Sequence, residues 1–233
     1  KVFYIWLMAK TIESLFIWLT FISDFILVLF FISLLIRNKS YNPAWLIAIY
    51  TLINLSINIT FELFPSENVL FVYSCFTFLE YALFTGFIYS FIKNGLFKKI
   101  TLFLSVLFTI FLPVYYTSFN QGESIDSIPI GIETLLVLLF CFYYFYEQMN
   151  DLDNHYIYNR YHFWITIGMM LYLAGSFFIY IFANHVDKQT QSQFWFLTYF
   201  FYVVKNSFFL IGFINYKKPS KAQSLKNLYP YLN

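Results

Sequence analysis

Apolar residues in this chain run together in long blocks separated by short polar punctuation. Seven blocks stand out: residues 12–36, 43–64, 69–92, 97–117, 128–148, 160–183 and 194–216. A bilayer core of about 30 Å is crossed by roughly 20 consecutive apolar residues in a helix, and each block reaches that length. Ile, Val, Phe and Tyr crowd the blocks and would favour strands in water. In hydrocarbon, however, a single long span must satisfy its own backbone, which selects helix. The in–out alternation of a membrane barrel is absent. Pro43 and Pro129 stand where helices begin, and Pro65 and Pro219 just past helix ends. Asn94-Gly95 and Asn120-Gln121-Gly122 mark turns. The pattern predicts an all-α membrane protein, a bundle of seven transmembrane helices over 12–216. An N-terminal tail (1–11) precedes it and a short basic tail (217–233) follows. Within the first tail, Val2 to Ala9 is apolar but too short to span; it either lies at the interface or extends the first helix.

Lysine and arginine placement then orients the bundle. Arg37 and Lys39 follow the first span, Lys93, Lys98 and Lys99 the third, Arg160 the fifth, and Lys217, Lys218, Lys221 and Lys226 the seventh. The opposite connections hold Lys188 and the acidic Glu67, Glu123, Asp126 and Asp187, with Lys1 and Lys10 in the tail. The expected arrangement is N-terminus outside and C-terminus cytoplasmic. Composition agrees: only 11% of residues are charged and 60% are hydrophobic, against about 25% charged in soluble domains. Net charge is +2, so the distribution of charge carries the information rather than its sum. Cys75 and Cys141 both fall inside apolar blocks, the placement of small buried hydrophobes rather than of a disulfide framework. The bilayer itself is the first expected partner, and the basic tail suits anionic lipid. No nucleic-acid partner is expected.

Ionisable residues inside the blocks supply the candidate chemistry. Asp24, Glu80 and Lys205 lie near the middle of the first, third and seventh spans. Odd-numbered helices run the same way, so these residues share a depth. Each charge there costs about 2.5–3.5 kcal/mol on insertion scales, and an ion pair of Lys205 with Glu80 or Asp24 would offset it. In the second span Thr51, Asn54, Asn58 and Glu62 recur at helical spacing on one face. Tyr73, Thr77 and Glu80 share a face in the third; Thr198, Tyr202, Lys205, Phe209 and Gly212 do so in the seventh. Such stripes point into a bundle, where they act as interhelical glue or line a ligand site. Glu133, just inside the outer end of the fifth span, opens a path toward the centre. Gly168 and Gly175, flanking Tyr172, permit close packing of the sixth. Trp45, Trp164 and Trp195 read as interface anchors. His155, His162 and His185 fall in loops or at helix ends, where solvated side chains are the default. No phosphate loop, kinase signature or metal-spaced Cys/His cluster occurs. Asp151, Asp153 and His155 could together hold a cation, but the expected reading is a polar loop. No catalytic activity is expected.

Two resemblances follow from these residues. Phe163-Trp164-Ile165 through Gly168, Tyr172 and Gly175, then Phe194-Trp195 and Lys205-Asn206 to Gly212-Phe213, resembles the membrane-sensor regions that precede some bacterial histidine kinases. This covers about the last third of the chain, and no kinase follows it. The resemblance implies a bacterial inner membrane and signalling through a separate protein. The layout as a whole resembles microbial rhodopsins: seven spans, N-terminus outside, a mid-span lysine in the last helix and a mid-span carboxylate in the third. That implies Lys205 as a retinal Schiff-base lysine with Glu80 as its counter-ion. The third helix departs from the family by reading Tyr73-Ser74-Cys75-Phe76-Thr77-Phe78-Leu79-Glu80, without an arginine. Phe201 stands where a second carboxylate is usual, and the sixth helix has no proline. The leading expectation is a non-catalytic receptor-like or signalling protein with a polar intramembrane core at Lys205, Glu80, Asp24, Asn54, Asn58, Glu62 and Tyr202. A retinal photoreceptor or pump is the alternative, followed by a transporter or a structural subunit of a membrane complex.

Overall fold

The structure, a computed structural model, describes residues 2–37, 43–63, 69–118, 127–150, 157–182, 185 and 194–216. Among them are seven α-helices: α1 (Val2–Arg37), α2 (Ala44–Leu63), α3 (Val69–Tyr89), α4 (Gly95–Ser118), α5 (Ser127–Met149), α6 (Tyr161–Phe182) and α7 (Phe196–Ile214). A 3-10 turn, Ile157–Asn159, leads into α6. Each helix lies on one of the seven apolar blocks. Five of them contain stretches long and apolar enough to cross a membrane: Ser14–Ser33 of α1, and α4, α5, α6 and α7 whole. The apolar stretch of α2, Ala44–Thr60, is shorter. The backbone of residues 2–11 continues α1, so Val2 to Ala9 extends the first helix. Pro65, Pro219, the 120–122 turn and the tail from 217 lie outside the described residues.

Local chemistry explains several boundaries. Asn94 caps α4: its side-chain carbonyl accepts from the backbone N–H of Leu96 at 2.9 Å and of Phe97 at 3.3 Å, as asparagine does at helix starts. The cap moves the start two residues ahead of the expected 97. The turn before it is pinned from elsewhere. Glu147, near the end of α5, accepts the backbone N–H groups of Lys93 and Asn94, each at 2.7 Å. Pro113 lies inside α4 without ending the helix; on either side of it the Thr109 and Thr117 hydroxyls donate to the carbonyls of Ser105 and Pro113.

Six helices close a ring. α1 packs on α2, α2 on α3, α3 on α5, α5 on α6, α6 on α7 and α7 back on α1; α4 stands outside, against α3 and α5. Polarity is inverted relative to a water-soluble bundle. On α1 the outward face carries Leu15, Trp18, Phe25 and Leu29, all exposed, while Thr20 and Asp24 point inward and are buried. Large exposed apolar faces need a non-aqueous surrounding, and buried polar groups need partners. The ring interior supplies those partners.

Candidate functional site

The inner faces of α1, α2, α3, α6 and α7 converge on Lys205. This side chain is wholly buried. Its ammonium donates to the Tyr50 hydroxyl at 2.5 Å, and that hydroxyl in turn donates to Glu80 Oε1 at 2.7 Å. The phenol thus stands between ammonium and carboxylate, using its single proton toward Glu80 and a lone pair toward Lys205. Around the ammonium lie four rings: Tyr202 at 3.6 Å from the centroid, Tyr50 at 4.4 Å, Tyr172 at 4.5 Å and Phe209 at 5.8 Å. A desolvated cation against an aromatic face gains about 2 kcal/mol, so the cage offsets part of the cost of burial.

A second cluster adjoins the first. Tyr202 donates its hydroxyl proton to Asp24, 2.8 Å from Oδ1 and 3.0 Å from Oδ2. Asn206 Nδ2 donates to Asp24 Oδ1 and to Ser23 Oγ, both at 2.8 Å. Asn58 Nδ2 reaches Asp24 Oδ2 at 3.5 Å. Asp24 is therefore held by α1, α2 and α7 together. Tyr202 joins the clusters: its hydroxyl serves Asp24 while its ring faces Lys205. The sequence pairs Lys205 directly with a carboxylate; in the structure tyrosines carry the connection to both acids.

The remaining candidates divide. Asn54 is buried, its Nδ2 lacking a hydrogen-bond partner. Thr51 is fully buried and bonds back to Ile47 and Ala48 carbonyls of its own helix. Thr77 and Thr198 are buried on the inward faces of α3 and α7. The Glu62 and Tyr73 side chains lie outside those described. Glu133 is buried on α5, with Oε1 unpartnered. Among the described residues no group of three His, Cys, Asp or Glu side chains could hold a metal ion.

Sequence reasoning passed over two contributors, Tyr50 and Asn206, and misplaced one histidine away from the site. Tyr50 lies four residues before Asn54 and eight before Asn58, so the spacing of that stripe already included it; one tyrosine among 21 gave no reason to choose it. Asn206 adjoins Lys205 but points to Asp24. His162, expected in solvent, is buried instead. It hydrogen-bonds the Tyr144 hydroxyl through Nδ1 and stacks on Phe91 at 4.3 Å, because the first turn of α6 is packed against α5 and the turn after α3. Trp45 packs edge-on against Phe31, Trp195 against Tyr180, and Trp164 Nε1 donates to the Tyr158 carbonyl at 2.7 Å. Comparison with protein-family models, with curated proteins and with solved structures finds no match to this chain.

Proposed function

We propose that the chain is a seven-span sensor of a bacterial inner membrane, N-terminus outside and C-terminus cytoplasmic, that signals without catalysis through a separate protein. The observation that carries this reading is the single polar network that ties α1, α2, α3, α6 and α7 through Lys205, Tyr50, Glu80, Tyr202 and Asp24. Partial breakage of such a network is costly, because a partner removed in low dielectric leaves a charge uncompensated. Its alternatives are therefore few: cage intact, or cage opened with the acids satisfied by something else. A stimulus that stabilises the opened arrangement shifts the population toward it. Since α7 holds both clusters and leads directly to the cytoplasmic tail, repacking at Lys205 is transmitted to that face.

Single cysteines on a Cys75→Ala, Cys141→Ala background test orientation and coupling together. Positions Ser66, Gln121 and Gln189 should react with an impermeant reagent in intact cells, and Asn38, Asn94 and Ser220 only after the membrane is opened. Glu80→Gln should then change the labelling rate at Asn94 or Ser220 several-fold. Outside labelling at Asn94 overturns the orientation, and unchanged rates overturn the coupling.

The retinal reading predicts a visible band when all-trans retinal is added to purified protein. No band is expected. The Lys205 amine is enclosed by Tyr50, Tyr172, Tyr202 and Phe209, rings that occupy the space a polyene needs. A band that vanishes in Lys205→Ala would replace the sensor by the rhodopsin reading.

A further inference from the structure

Outside the ring, the lipid-facing side of α4 and the end of α3 form a groove of about 470 Å³. Lys98 and Lys99 stand at one end, with Tyr89 beside them; Leu102, Phe103 and Val106 continue it along the helix. Steps of three and four residues put all five α4 side chains on one face. Leu102 and Phe103 are 57% and 62% exposed, Val106 49%. The Lys98 ammonium lies 5.1 Å above the Tyr89 ring, which sets its position at the mouth. Glu147, the carboxylate tied to the neighbouring turn, is occupied by the backbone N–H groups of Lys93 and Asn94. Among the described residues no carboxylate pairs with Lys98 or Lys99.

We propose that this groove is a binding site for an anionic phospholipid, with the phosphodiester held by Lys98 and Lys99 and one acyl chain laid over Leu102, Phe103 and Val106. Two features select that occupant. The cationic end matches a phosphate, and the apolar remainder is continuous with a face of α4 whose Leu107 and Ile110 are also exposed. A soluble anion would use the first feature only, and a zwitterionic lipid the second. The site rests on the chain lying in a bilayer and is independent of the sensor reading. A lysine near an anionic lipid surface is worth about a factor of five, so two give a preference of roughly twenty-five-fold.

Native mass spectrometry of the purified full chain tests this, with dioleoyl phosphatidylglycerol and phosphatidylcholine offered in equal amounts. Wild type should retain one phosphatidylglycerol with roughly that preference. Lys98→Gln with Lys99→Gln should bring the ratio near one, while Lys98→Arg with Lys99→Arg keeps it. The charge-preserving pair separates lost binding from misfolding. Val106→Trp, which fills the apolar end and leaves the lysines, should also lower retention. Inorganic phosphate at matched concentration should not displace the lipid. Equal retention of both lipids by wild type, an undiminished preference in the glutamine pair, or displacement by phosphate would each overturn the proposal.

Discussion

Glu80→Gln is expected to cost about 3–5 kcal/mol of stability, the usual penalty when one partner of a buried charged network is removed. Lys205→Met in the same chain should recover part of it. The loss arises because the glutamine still accepts from Tyr50 but no longer balances an ammonium that is wholly buried. Removing that ammonium removes the imbalance, so the two substitutions should be non-additive in thermal unfolding in detergent. Glu67→Gln, between the second and third apolar blocks of the sequence, serves as the comparison for losing an acidic side chain elsewhere. Tyr50→Phe sharpens the test. Without the bridging hydroxyl, the Glu80–Lys205 coupling should fall, since the phenol both accepts from the amine and donates to the acid. Additive effects of Glu80→Gln and Lys205→Met would place the compensation of Lys205 at Asp24, through Tyr202, and the same cycle would then be run there.

The helices were legible because apolar length is a coarse signal that survives the loss of detail. Blocks at 43–64, 128–148 and 194–216 are met by α2, α5 and α7 with boundaries differing by a residue or two. Other offsets have local causes. The Asn94 cap draws α4 back to Gly95, and α3 ends at Tyr89 because the chain turns through residues 90–94 to meet Glu147. What the pattern could not reveal is that α4 leaves the ring. Its polar residues are few and its Lys98 and Lys99 sit at one end, yet those features also suit a ring helix; only the direct packing of α3 on α5 excludes it.

At the site, charge was the legible quantity and hydrogen-bond routing was not. Asp24, Glu80 and Lys205 are conspicuous because each is costly in an apolar block, and their shared depth follows from helix direction. Tyrosine carries no such flag. A phenol is apolar enough to belong in any span and polar enough to bridge two charges, so Tyr50, Tyr172 and Tyr202 look alike in sequence while doing different things around one ammonium. The same ambiguity hid His162, whose place in the first turn of α6 suits solvent or a partner equally; Tyr144 of α5 and Phe91, in the turn after α3, decide it.

Gly168→Ala should destabilise the protein by about 1–3 kcal/mol, the range for overpacking a close contact, whereas Gly86→Ala should be neutral or stabilising. Both substitutions add one methyl within a helix, where alanine is intrinsically favoured by about 1 kcal/mol. The surroundings set the sign. A Cβ at Gly86 meets only Leu46 Cδ1, at 3.5 Å, an ordinary contact with the tip of a side chain. A Cβ at Gly168 would lie 2.9 Å from Phe208 Cβ and 3.0 Å from the Lys205 carbonyl oxygen. Neither atom can move without moving α7. The methyl therefore presses on the residue whose ammonium fills the aromatic cage, and Gly212 of α7 repeats the arrangement a helix turn onward, where an added Cβ would lie 2.7 Å from Ile165 Cγ1 and 3.0 Å from the Tyr161 carbonyl oxygen. If α6 and α7 form the close seam that holds Lys205 in register, Gly168→Ala should also weaken the Glu80–Lys205 coupling, while Gly86→Ala leaves it intact. Thermal unfolding of the two variants, alone and combined with the Glu80→Gln, Lys205→Met cycle, measures both effects. A Gly168→Ala protein as stable as wild type would mean that α7 shifts freely on α6, and the cage would then owe its position to Tyr50 and Tyr202 alone.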